Sequence, residues 1–149
     1  MDSSISNHFR RHPPNLWFCL KQLIGDLPPY HFCMGITKAS VTVVGEAAAK
    51  EVELIIDTGS ILTWIKSDFL EALGEKPRRE KEFRTIEGKI IRRKTGPATI
   101  RYDGVEADVE VVFGEGTDAE VLGVTALESL GLQVDPVTLE LRRSSLLAL

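Results

Sequence analysis

Leu54-Ile55-Ile56-Asp57-Thr58-Gly59-Ser60 is the stretch on which the fold turns. An aliphatic run leads straight into a carboxylate, then into two hydroxyl residues around a glycine. An acid directly after an apolar strand loses hydration unless it finds partners or stays protonated. Thr58 offers a hydroxyl that can tie the turn together. Gly59 permits close backbone approach or a positive φ. Ser60 places a second hydroxyl near the carboxylate, where donating to it would favour the charged form. These residue types suit an acid held rigidly at the end of a strand. Asp-Thr-Gly-Ser is also good turn chemistry, with the Asp accepting local backbone bonds. Alone, the four residues leave a simple turn and a working acid both open.

Working outward, Glu51 to Ile56 alternates charged and apolar residues before an all-apolar end, which predicts a strand. Ala39 to Val44 predicts its upstream neighbour, joined through Gly45 to Lys50. Downstream, Leu62 to Ile65 predicts a short third strand. Ser67 is expected to cap a helix over Asp68 to Leu73 that Gly74 stops. Trp64 and Phe69 flank that helix and are expected in the core. Glu82 to Lys94 predicts a hairpin turning at Glu87-Gly88. Asp103-Gly104 predicts a second hairpin, between Ala98 to Tyr102 and Val105 to Phe113. Thr125 and Glu128 have capping-box spacing at the start of a helix that Gly131 ends. Leu132 to Val134 and Leu139 to Leu141 then flank a turn at Asp135-Pro136. The acids Asp103 and Asp135 are accounted for by these turns. Leu70-Glu71-Ala72-Leu73-Gly74 echoes Leu127-Glu128-Ser129-Leu130-Gly131, each after a strand and a glycine-containing bend. The echo suggests a small β domain with two related halves.

The chain has 149 residues, 43% of them hydrophobic and 27% charged, which fits one domain with a real core. A net charge of -4 argues against steering toward nucleic acid or anionic membrane. Residues 76–94 carry nine Lys or Arg against three Glu. That basic stretch could favour acidic peptides, but a solvated face accounts for it. No apolar run approaches the roughly 18 residues that cross a bilayer. Leu16 to Leu20 is too short for a signal-peptide core and Lys21 ends it, so a cytoplasmic location is the default. Residues 1–33 hold both cysteines, Cys19 and Cys33, and the three histidines, and they are expected to be a separate, poorly ordered extension or an upstream start not used in the cell. Within it, Leu16 to Ile24 predicts a short helix, and Trp17 an anchor. A single Cys19–Cys33 bridge stays open. His8, His12, Cys19, His31 and Cys33 match no tight zinc spacing, so no metal is expected. The domain itself is expected over residues 34–149.

The Asp57 stretch, taken with Val121-Leu122-Gly123 and the short helix after it, resembles the retropepsin-like (clan AA) aspartic proteases, of retroviruses and related cellular and prokaryotic enzymes. Both marks stand in the family's order, with room for a flap hairpin between them, and the resemblance spans about Ile36 to Arg143. It implies an all-β fold with one or two short helices, a closed barrel forming one half of a dimeric enzyme. It implies that Asp57 is the catalytic acid, that Thr58 bonds across the dimer axis, and that Gly59 admits substrate backbone. Ser60 and the flap residues Ile86, Glu87, Gly88 and Lys89 would contact a peptide or protein substrate. No cofactor is implied. The dyad needs two carboxylates sharing one proton, and the sequence holds one Asp-Thr-Gly. The second must therefore come from another copy. The sequence departs from retroviral relatives at Leu62 and Val124, where an acid and an arginine are common, and in a flap with one glycine. These departures keep open a second reading, a dimerisation or peptide-binding module with little proteolysis.

Overall fold

The structure, a computed structural model, describes residues 36–145. The expectations for residues 1–33, including the helix at Leu16 to Ile24, Trp17, the cysteines and the histidines, lie outside the described residues.

Alternation of apolar and polar residues makes strands here in the ordinary way. In β1 (Lys38–Val44) the residues Ala39, Val41 and Val43 face inward and are buried. β1 pairs antiparallel with β2 (Ala49–Ile56). β3 (Thr63–Lys66) follows the Asp57 loop and runs into helix α1 (Ser67–Ala72). The hairpin of β4 (Arg79–Arg84) and β5 (Ile90–Tyr102) comes next, then β6 (Val105–Gly114). The short strand β7 (Val121–Leu122) leads into α2 (Val124–Ser129). A separate antiparallel pair, β8 (Leu132–Val134) and β9 (Leu141–Arg143), closes the described chain.

The sheet order is β1-β2-β7-β3-β6-β5-β4, and β1 also pairs with β5. That extra pairing closes the sheet into a barrel and leaves β4 outside it, attached to β5. Among the described residues the fold is therefore mostly β with two short helices, as expected. The two-halves expectation holds in the pairings themselves. The hairpin β1–β2 corresponds to β5–β6. β2 runs parallel to β7, and β6 runs parallel to β3, so each half lends its short strand to the other. The echoed pentapeptides end both helices alike. The Gly74 amide donates to Glu71 O and the Gly131 amide to Glu128 O, both at 3.0 and 2.9 Å, with φ of +87° and +66°. Leu70, Leu73, Leu127 and Leu130 from the two echoes are all buried. They join Leu54, Ile65, Ile100, Val111, Phe113 and Leu122 in one core.

Three local expectations are corrected. Ser67 is the first residue of α1 rather than its cap, and its hydroxyl donates to Gly114 O at 3.1 Å. The capping box at Thr125 does not form. Gly123 is the cap, and the Thr125 hydroxyl donates to Ile61 O at 2.7 Å. Ala98 to Tyr102 is not a separate strand but the end of β5, which is 13 residues long. Gly96-Pro97 does not break it because β4 pairing ends at Thr95 and β1 pairing starts at Thr99. Pro97 thus sits where β5 has β6 on one side and no strand on the other, and its missing N–H costs nothing. Gly96 is needed for space, since a Cβ there would lie 2.7 Å from Lys76 O.

The turns follow their residue types. Asp103 and Gly104 take φ of +48° and +76°, a two-residue turn matched to strand twist. Asp135 Oδ1 accepts from the amides of Val137 and Thr138, at 2.7 and 2.9 Å. Among the described residues no helix is long and apolar enough to cross a membrane.

Candidate active site

Asp57 follows β2 directly, and its loop is fixed by backbone bonds to the second half of the chain. Its amide donates to Leu122 O at 3.1 Å. The Ser60 carbonyl accepts from Val124 N at 2.8 Å, and the Ile61 carbonyl from Thr125 N at 3.1 Å. Beneath the loop, the Gly123 amide donates to the hydroxyl of the fully buried Thr63, at 3.0 Å. Gly123 is required by contact, because a Cβ would lie 2.4 Å from Leu62 O. The two motifs picked out in the sequence, 57–60 and 121–123, therefore form one structural unit. The start of β7 is fixed in turn. Glu120 O accepts from Ile55 N at 3.2 Å, and Glu120 Oε1 from Lys66 N at 3.2 Å.

Within the loop, Asp57 Oδ1 accepts the Gly59 amide at 2.9 Å. The Ser60 amide donates to Asp57 O at 3.1 Å. The Ser60 hydroxyl donates to Leu62 O at 2.8 Å, so it spends its hydrogen on the loop and not on the carboxylate. This replaces the expectation that Ser60 stabilises the charged form of Asp57. Asp57, Thr58 and Gly59 are exposed in the single chain, and Ile61 beside them is 69% exposed. The loop is thus rigid in its backbone while its carboxylate and an aliphatic neighbour face outward.

The β4–β5 hairpin turns where the sequence places it. The Gly88 amide donates to Thr85 O and the Thr85 amide to Lys89 O, both at 2.8 Å. Ile86 at the tip is fully exposed, and Glu87, Gly88 and Lys89 are exposed beside it. The basic residues of this stretch are sorted along its length. Near its base, Lys81 Nζ meets Glu110 at 2.6 Å, and Arg93 grips Asp118 with two nitrogens, at 2.6 and 3.1 Å. The Arg93 guanidinium holds the Asp118 carboxyl below the usual range, and the Lys81 ammonium does the same to Glu110. Arg92 pairs with Glu82 on the exposed face. Four of the nine basic residues read in the sequence, Arg79, Lys81, Arg92 and Arg93, thus have carboxylate partners, and the solvated-face reading accounts for the rest.

Sequence reasoning missed two contributors. Thr63 sits inside an otherwise apolar strand, and a lone hydroxyl in such a run was its only trace. Trp64 was expected in the core with Phe69. Phe69 does pack against the core, but Trp64 instead meets Phe83 of β4, ring centroids 4.8 Å apart and edge to face.

A family model described as aspartyl protease matches residues 39–126 of the chain. No curated protein sequence matches it. Among solved structures it is similar to the solution structure of Simian Foamy Virus (mac) protease, with a TM-score of 0.46 and 20% identity over 62% of this chain and 92% of that one.

Proposed function

Because the chain belongs to the aspartyl protease family, we propose that it is a homodimeric aspartic endopeptidase whose two Asp57 carboxylates meet at the dimer axis. The observation that carries this reading is the Asp57 loop itself. Its backbone is clamped from behind, yet Asp57, Thr58 and Ile61 face outward with no covering element among the described residues. A solitary exposed acid has no use for such a scaffold, whereas an acid that must meet its twin within a narrow distance does. In this reading Thr58 bonds across the axis, and Gly59 lets substrate backbone approach.

In the dimer the two carboxylates share one proton, since like charges so close cannot both ionise. The ionised Asp57 takes a proton from water as the oxygen attacks the scissile carbonyl. The protonated Asp57 donates its proton to the carbonyl oxygen. The tetrahedral adduct collapses as the amine leaves with a proton, and the dyad returns to its starting state. The 84–90 end of the hairpin is the flap, with Ile86, Glu87, Gly88 and Lys89 over the bound peptide and Ser60 in the floor. No metal or cofactor enters this scheme.

The test is cleavage of a mixed peptide library from acidic to neutral pH by wild type and Asp57→Asn. The variant is expected to fold normally, because Asp57 is exposed, and to lose about 100- to 10,000-fold in activity. Equal cleavage by both forms would end the proposal. A second reading, a dimeric peptide-binding module, is favoured by Leu62 and Val124 standing where relatives carry charge. Peptide binding by a folded dimer that cleaves nothing would establish it.

A further inference from the structure

Two non-glycine residues among the described ones have a positive φ, Asp103 and Leu139. Asp103 belongs to an Asp-Gly hairpin turn that requires it. Leu139, at +59°, has no such reason, and the conformation crowds its Cβ against the backbone. The turn that holds it is closed on itself. The Leu139 amide donates to Asp135 O at 2.8 Å, the Asp135 amide to Glu140 O at 2.9 Å, and Arg142 meets Asp135 Oδ2 at 2.7 Å. The carbonyl of the strained residue accepts the Thr37 hydroxyl at 2.6 Å, across a separation of 102 residues that no local turn preference explains. Thr37 in turn continues the β1 ladder by one step. Its carbonyl accepts the amide of Ile56, the residue before Asp57, at 2.8 Å. The Asp57 amide goes the other way, to Leu122 O. The end of β2 is thus held from both sides. On the β7 side the support is backed by the buried Thr63. On the β1 side it is backed by Thr37, which is half-buried and precedes the first residue of β1.

We propose that Thr37 is a positioning residue for Asp57, and that the β8–β9 turn acts through its hydroxyl to set where the carboxylate stands at the dimer axis. The proposal rests on the protease reading, in which two Asp57 carboxylates must meet within a narrow distance. With the Thr37 hydroxyl unheld, the end of β2 keeps its bond to Leu122 and gains freedom to rotate about it. Proton sharing weakens as the carboxylates separate, so a small rotation there reaches the chemistry. The strain at Leu139 persists because the closed turn over-determines it, and it is stored where one carbonyl braces the strand that carries the acid. Thr37 itself touches neither substrate nor the reacting atoms.

The experiment uses the full chain with Thr37→Val, which removes the donor, and with Thr37→Ser, which keeps it. A peptide that the wild type cleaves gives kcat and KM. Thr37→Val is expected to lower kcat about tenfold with KM within about twofold, the mark of an interaction that matters in the transition state. Its pH–activity bell should narrow as the two carboxylates couple less. Thr37→Ser is expected to stay within about twofold of wild type in kcat. Independently of activity, amide exchange at Ile56 is expected to speed about fivefold in Thr37→Val, with Leu54 and Val111 unchanged. Wild-type kcat in Thr37→Val, an equal loss in Thr37→Ser, a loss confined to KM, or unchanged exchange at Ile56 would each overturn the positioning role. A Thr37→Val chain that does not fold would overturn it too, since the bond would then belong to the general scaffold. If the wild type cleaves nothing, or Asp57→Asn cleaves equally well, the protease reading falls and the brace stands or falls on Ile56 exchange alone. Cleavage that needs Asp57 and ignores Thr37 keeps the protease and ends the brace.

Discussion

Asp57 owes its position to residues that mostly never touch its carboxylate. Leu122 holds its amide, Thr63 and Gly123 hold the layer beneath, and Gly59 alone bonds the side chain among the described residues. The Asp57-Thr58-Gly59 and Leu122-Gly123 motifs were legible because each demands particular residue types: a carboxylate, and glycines where another backbone passes. The direction of the Ser60 hydroxyl was not legible, since a carboxylate three residues back and a carbonyl two residues on lie equally within reach of a turn. Its bond to Leu62 O sets the expectation for Ser60→Ala. That variant should lose about 1 kcal/mol in thermal unfolding while the acidic limb of its pH–activity profile stays in place. Movement of that limb would mean the hydroxyl turns to Asp57 in the dimer.

At the scale of elements, the hairpin is governed by where its charges are spent. Asp118 is 14% exposed and accepts Arg93 as well as the Glu115 amide at 2.8 Å. The Arg93 hydrogen bond is the chief cause of its lowered pKa. A carboxyl held below its unfolded value of about 3.9 contributes fully above that value and loses its contribution as pH falls through the folded one. Asp118→Asn should therefore cost about 2 kcal/mol near neutral pH, and the gap to wild type should narrow below about pH 4. Urea unfolding at the two pH values decides it, and a gap that does not narrow would show that the charge carries none of the effect. The β4–β5 turn was legible from Glu87-Gly88, and the β5–β6 turn from Asp103-Gly104. The continuity of β5 was not, because Gly96-Pro97 reads as a break until one knows that neighbouring strands leave that position unpaired on one side. Trp64 was misplaced for a similar reason, since an aromatic beside a helix looks like core until the partner strand is known.

For the whole molecule, barrel closure was legible as a family expectation and the two halves as a repeat, but the exchange of strands between halves was not, because pairing at long range leaves no local trace. The open face around the Asp57 loop makes a statement about assembly. Ile61, 69% exposed beside that loop, should lie in the dimer contact, and a charge there would be buried without a partner. Ile61→Glu is expected to sediment as a folded monomer and to lose peptidase activity together with its partner, while wild-type specific activity falls on dilution. A dimer that survives the substitution would place the axis elsewhere. The strand order carries one more consequence. β7 is wedged between β2 and β3, so the first half of the chain contains a slot that only the second can fill. Cut at the exposed Gly88, the pieces should each be unstructured alone, regain a cooperative transition when mixed, and behave as a complementation pair. Fused to two other proteins, they would report whether those proteins meet.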